Sequence, residues 1–252
     1  DKPRPSVQSY RGDAAFGKID SETLTALKAL AQKEGATLFM FLNAAMAILL
    51  GRYANTDDVP IGTAVANRNR PELRNLLGFF ANTLVLRNRI DWELSFRDYL
   101  RQSKQTVLDA FANADVPFDT VVEKLQPVRS LSVPPIFQVM FVLQNAHQES
   151  FSSTKTDFAI SPIEADAFSA KLDLNFFIFE GDGLSIRLQY ATDLFDAGSI
   201  RSLLDNFELL VKAIAGNPDE QLGYLPIVGE LDRRQVCEWN RTAREYPQDQ
   251  CI

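Results

Sequence analysis

Histidine and cysteine, the residues most often recruited for acid-base, nucleophilic and metal chemistry, are scarce in this chain. Its 252 residues include one His and two Cys. Cys237 and Cys251 stand near the C-terminus with no basic cluster beside them, so the spacing suits neither a disulfide framework nor a metal site, and both thiols read as inert. His147 lies in the polar segment 145–149 and reads as a solvated loop residue. No Gly-x-Ser-x-Gly elbow and no Gly-rich phosphate loop of either common spacing is present. A basic surplus is lacking too. With 26 Lys and Arg against 33 Asp and Glu, the net charge of -7 argues against nucleic acid or an anionic membrane as the main partner. No apolar run reaches the length of a membrane span and no signal-like segment opens the chain, so a reduced, cytoplasmic setting is the expectation. The polar, Pro-rich opening Asp1 to Pro5 reads as a cut inside a longer chain.

What is present is enough for a substantial core: 46% of the residues are hydrophobic and 23% charged. The central stretch runs from Leu76 to Arg87, where a loop containing Gly78 enters a strand whose Leu84, Leu86 and Ile90 recur at period two. Before it, Ala14–Ile19 reads as a strand. Asp20 caps a helix bearing Leu24, Leu27 and Leu30 and closed by Gly35, and Thr37 caps a second helix, Leu38–Tyr53, that is apolar nearly all round. Val59–Ala66 reads as a strand, and Pro71 opens a short helix.

Beyond the central stretch, Ser95 caps a helix to Ala112, and the turn Asn113 to Asp119 leads to a helix over Thr120–Leu125. Ile136–Leu143 is too continuous in apolar residues for an exposed strand and belongs inside a sheet. Further strands are expected over Phe158–Ile163, Leu172–Glu180 and Leu184–Tyr190, the last two joined by a glycine hairpin at 181–183. A long helix carrying Leu203, Phe207, Leu210 and Ile214 ends at Gly216. The mixture predicts an α/β sandwich, a mixed sheet covered by helices. From Leu225 to Pro247 the chain is charged and poorly periodic, and reads as a linker or the edge of another domain.

Two places hold candidate polar groups. Asp115 precedes Pro117-Phe118, where it either bonds backbone amides of the next helix or serves a site, the structural role being favoured. Gln144 and Asn145 end the apolar strand, either as turn formers or as amides at a cavity mouth. From residues alone, the chain is an α/β domain without a self-sufficient active site.

The central stretch Gly78-Phe79-Phe80-Ala81-Asn82-Thr83-Leu84-Val85-Leu86-Arg87 resembles the GFFVNTLVLR motif of nonribosomal peptide synthetase condensation domains. Asn113 to Asp119 is similar to the family's HQDVPFE block, with Asn113 and Ala114 replacing His and Gln. Arg129 to Phe141 is similar to RDxSRNPLFQVMF, with Val133 where Arg is usual. Ser169 to Leu174 resembles TAKFDL, and Tyr190 to Asp196 follows the family's wording closely. Arg4 to Gln8 looks like the crossing from a first lobe into a second, and Trp239 to Ala243 with Tyr246-Pro247 looks like the opening of an adenylation domain.

The resemblance implies a chloramphenicol acetyltransferase-like fold of two lobes with a tunnel between them, in which an acceptor amine attacks a donor thioester. This chain would be the second lobe (1–222) plus a linker and the start of an adenylation domain (223–252), with the catalytic HHxxxDG motif in the first lobe. No catalytic residue would lie here. Gly78, Phe79, Phe80 and Asn82 would belong to the tunnel floor, and Asp115, Gln144 and Asn145 would support substrate or a developing oxyanion. Arg87 and Asp173 would be structural. The implied partners are the first lobe, upstream and downstream peptidyl carrier proteins with their phosphopantetheine arms, and the adenylation domain, with no directly bound cofactor or metal. A carrier-docking module without chemistry, or an epimerisation or heterocyclisation domain, are the alternatives. The face toward the first lobe should be apolar rather than uniformly charged.

Overall fold

The structure, a computed structural model, describes residues 1–68, 71–73, 75–144 and 168–243. Strand β1 (Arg11–Ile19) precedes helices α1 (Ser21–Lys33) and α2 (Leu38–Ala54). Strands β2 (Asp58–Val65) and β3 (Asn82–Arg89) follow, then α3 (Phe96–Ala112), α4 (Phe118–Leu125) and β4 (Val139–Gln144). The chain continues through β5 (Phe168–Ser169), β6 (Leu174–Glu180), β7 (Leu184–Ala191), α5 (Ala197–Gly216) and α6 (Glu230–Trp239).

All seven strands join one sheet in the order β3-β2-β4-β6-β7-β1-β5. The three central neighbours β2, β4 and β6 are parallel and the remaining pairs antiparallel, which makes the sheet mixed as expected. Because side chains alternate along a strand, each strand offers one set to each face. Ile61, Leu86, Phe141, Phe176, Ile178, Ile186 and Leu188 all point to one face and are almost fully buried. Against them lie Leu27 of α1, Phe41 and Ile48 of α2, Phe96 of α3 and Phe207 of α5, so the core sits between the sheet and this helical layer.

Local chemistry explains the helix ends. Asp20 accepts from the Thr23 amide (2.7 Å), Thr37 from Met40 (3.2 Å) and Ser95 from Asp98 (3.2 Å), each satisfying an amide that the first turn leaves without a partner. Gly35 follows α1 at φ +62°, a conformation that costs glycine nothing. The 181–183 turn closes the β6–β7 hairpin, with Gly181 N donating to Gly183 O (2.9 Å). Helix α2, the most apolar, is buried on every side. No single helix among the described residues is long and apolar enough to cross a membrane.

The structure adds to or departs from the expected elements at several places. Asn88 occupies an inward position of β3 between Leu86 and Ile90, where it accepts from Asn43 of α2 (2.8 Å) and donates to the Leu86 carbonyl (3.0 Å). The predicted strand from Ile136 begins only at Val139, because Ile136 has φ +72° after two prolines and Phe137 turns its ring against the sheet. Helix α4 starts at Phe118, two residues early, straight after Pro117. Glu230–Trp239 is helical in a region without clear periodicity. The expected strand at Phe158–Ile163 falls outside the described residues.

Acid sensitivity follows from the carboxylates. The amide of Thr23 holds Asp20 down to about 2, with Lys212 adding to the effect. Burial opposes ionisation of Glu34, yet hydrogen bonds from Arg97 and Arg101 outweigh it and lower its pKa. A pKa depressed on folding contributes stability above the unfolded value, and that contribution fades as pH falls through the folded one. Thermal unfolding followed by circular dichroism is therefore expected to show Tm dropping between about pH 4 and pH 2. Asp20→Asn keeps the acceptor and should make the drop shallower, and an unchanged acid profile in that variant would remove Asp20 from the account.

Candidate functional site

The strand register defines a second sheet face along β4, β6, β7 and β1, on which no helix of the described residues is layered. Across it, Val142 stands beside Phe177, Phe177 beside Arg187, and Arg187 beside Phe16. The next row runs Gln144, Phe179, Ser185 and Lys18, and the row on the other side Met140, Asn175, Gln189 and Ala14. Phe16 is 63% exposed. The Arg187 guanidinium lies 4.9 Å from the Phe177 ring centre and 5.6 Å from that of Phe179. The face is thus apolar at its middle and carries Lys18 and Arg187 but no Asp or Glu in these rows.

The carboxyl ends of the parallel strands, the usual place for a site in such sheets, gather three further segments. The loop after β2, the start of β3 and the α3–α4 turn meet there. Asn82 joins two of them: its amide donates to the carbonyls of Ala114 (2.8 Å) and Val116 (2.7 Å), and its oxygen accepts from the amides of Thr83 (2.9 Å) and Phe118 (3.2 Å). Every hydrogen-bonding atom of this side chain is engaged within the chain. A cavity of about 260 Å³ opens beside them, lined by Phe39, Val65, Asn67, Phe111, Ala114 and Val142, among others. A larger opening of about 760 Å³ between α4 and the 126–135 segment shares none of that lining.

Arg68 shapes the loop before β3. Its guanidinium donates to the carbonyls of Leu73, Leu76 (2.8 Å) and Gly78 (3.1 Å), and it stacks 4.5 Å from the Phe80 ring centre. A Cβ on Gly78 would meet the Phe80 ring at 3.1 Å, which favours glycine there. Phe79 is 92% exposed, and Leu77 is fully exposed. Arg68→Ala should free three loop carbonyls and raise amide exchange across 75–81 by about tenfold, the equivalent of ~1.4 kcal/mol, with Tm nearly unchanged. Unaltered exchange in that loop would show that something else holds it.

The remaining predicted residues sit apart. Gln144 is exposed at the end of β4, beside Phe179. Asn145 and His147 lie outside the described residues, as does Cys251. Asp115 is exposed, and the N-terminus of α4 has no side-chain cap; the expected bond from Asp115 to the helix amides is replaced by Asn82, which takes the Phe118 amide. Arg87 forms a two-pronged pair with Asp58 on the neighbouring strand, at 2.9 and 3.0 Å from Nε. Asp173, 7% exposed, pairs with Arg4 (3.0 Å to Oδ1), whose guanidinium also donates to Ser132 O (3.1 Å), so the first residues of the chain are pinned beside β6. Hydrogen bonding to Asp173 raises the Arg4 pKa against the effect of burial.

Sequence reasoning missed Arg68, Arg187 and the Phe137–Gly62 contact. Only the polar turn at 67–71 hinted at the first, and nothing local marks the other two.

Comparison with known proteins places these features. Residues 1–237 match the family model described as "Condensation domain". A linear gramicidin synthase of Brevibacillus parabrevis is 40% identical over 254 residues, covering 100% of this chain and 5% of that protein. Holo-AB3403, a four-domain nonribosomal peptide synthetase bound to AMP and glycine, superposes with a TM-score of 0.83 at 24% identity, over 92% of this chain and 19% of that one. The X-domain from teicoplanin biosynthesis, in its complex with OxyB, gives a TM-score of 0.81 at 26% identity, over 91% of this chain and 51% of that one. The chain therefore spans a twentieth of the gramicidin synthase and about half of the X-domain.

Proposed function

Because this chain belongs to the condensation-domain family of nonribosomal peptide synthetases, we propose that it is the second lobe of a two-lobed domain that joins carrier-bound thioesters through a peptide bond. The observation that carries this reading is the one-sided sheet: among the described residues, helices cover one face, while along β4, β6, β7 and β1 the other presents an aromatic surface without Asp or Glu, suited to a second lobe. The length supports it, since the chain spans about half of a solved relative with the same fold.

In this reading residues 1–222 are the lobe, and 223–252 lead into an adenylation domain. The open face is one wall of the tunnel, and the Arg68-held loop with Gly78, Phe79 and Phe80 forms its floor. Gln144, at the strand end, and Asn145, just beyond it, supply amides toward the reaction centre. Asn82 and Asp115 belong to the floor's supporting turn, and Arg87 and Asp173 to the scaffold. Phosphopantetheine arms of upstream and downstream carrier proteins enter the tunnel, and the HHxxxDG motif is contributed by the first lobe. In this reading the lobe contributes to rate through positioning and the exclusion of water. The setting is cytoplasmic.

The test is a condensation assay with donor and acceptor carriers loaded, run with this chain alone and with the two-lobed domain. Product is expected only from the second. Robust product from this chain alone would overturn the assignment. One finding favours a second reading, a docking module without chemistry: the X-domain with the same fold is known in a complex with OxyB. Carrier binding by the two-lobed domain with no product would select that reading.

A further inference from the structure

Arg187 stands in the middle of the open sheet face with aromatic neighbours on both flanking strands and, among the described residues, no acid beside it. Phe177 and Phe179 project from β6, two residues apart, and Phe16 lies opposite it on β1. Its Nε is shielded from solvent and has no hydrogen-bond partner. Among the described residues it forms no ion pair. The nearby outward positions of β1, β4, β6 and β7 hold Lys18 but no Asp or Glu, in a chain whose carboxylates outnumber its cations by 33 to 26. Several described acids that border the sheet are engaged elsewhere: Glu180 pairs with Lys28, Asp173 with Arg4, Asp13 accepts from Tyr190, and Asp193 pairs with Arg11.

Ring contacts stabilise a guanidinium but satisfy none of its five N–H donors. On an open face, water serves the donors that are not shielded. When a second body covers the face, the charge must be paired or its desolvation opposes the contact. We propose that the lobe packed on this face supplies a carboxylate to Arg187, so that this one ion pair, ringed by Phe16, Phe177 and Phe179, fixes the register of the two lobes. The proposal rests on the reading that the face meets a first lobe. The occupant is that half of the domain, since this chain covers only 51% of a solved relative of the same fold. Planar bidentate pairing suits Arg better than Lys, and the rings restrict the guanidinium to a narrow range of orientations.

The experiment uses the two-lobed domain. Hydroxyl-radical footprinting reads the side-chain access of Phe16 and Met140, and thermal unfolding is followed in parallel. In the wild type both side chains should be protected; oxidation of Phe16 at the rate of a fully exposed phenylalanine would overturn the reading of the face itself. Given protection, Arg187→Glu should abolish it and lower Tm by about 5 °C, Arg187→Lys should retain part of it, and reversing one Asp or Glu of the facing lobe to Arg should restore it in the Arg187→Glu background. A domain in which Phe16 stays protected and Tm is unmoved by Arg187→Glu, or in which no acid of the other lobe rescues, would overturn the ion pair while leaving the interlobe face standing.

Discussion

Asn82→Ala is expected to destabilise the fold by about 2–4 kcal/mol, among the largest costs of any side chain near the strand ends. The substitution removes two donors and two acceptors at once. It leaves the Ala114 and Val116 carbonyls and the Phe118 amide without their partner, and Ala114 is only 4% exposed. Each net bond is worth about 1 kcal/mol, and a buried group left unpaired costs about 1–3 kcal/mol. Asn82→Asp should do no better: it keeps an acceptor for Phe118 but sets a carboxylate against two carbonyls. Urea unfolding gives the magnitude, and hydrogen exchange at 114–118 gives the place. A loss under about 0.5 kcal/mol with the turn still protected would mean that Asn82 does not hold it.

Gly62→Ala should cost about 2–3 kcal/mol although it adds a single methyl group. A Cβ at this position would fall 2.2 Å from the Phe137 ring. That ring is 5% exposed and packs edge-on against Phe118 at 5.5 Å, so it cannot swing aside without disturbing the first turn of α4. Phe137→Ala alone should cost about 3–5 kcal/mol by opening a cavity. In the double variant the methyl group enters the space the ring vacates, and the combined loss should fall short of the sum by more than about 1 kcal/mol. Strict additivity would mean that the two residues do not share this contact. The consequence for the site is direct, because Gly62 and Asn82 together seat α4 and the 113–118 turn beside the loop that enters β3.

Elements carried by near neighbours were legible in advance. Asp20, Thr37 and Ser95 cap helices where their side chains reach amides three residues on, Gly35 stops α1, and the glycines of 181–183 close a hairpin. The apolar continuity of 139–143 placed that strand inside the sheet, between β2 and β6. The motif wording of the central stretch and of Tyr190 to Asp196 pointed to the family that the comparison then found.

Where the outcome turned on partners far along the chain, the reading failed or was silent. Asn88 drew no reading from the sequence and is an inward-facing residue matched by Asn43. Asp115 looked like a cap and is displaced by Asn82, whose partners lie 32 to 36 residues away. Arg187 looked like any outward residue of a hairpin strand until register set it among three phenylalanines. The sequence by itself determined most helices and strands, the mixed α/β class and the family, because caps, turns and periodicity act over a few residues. The tertiary structure alone decided which sheet face the helices cover, which amide holds the α3–α4 turn and which cation stands among phenylalanines, because strand order and register bring together residues that no local pattern connects.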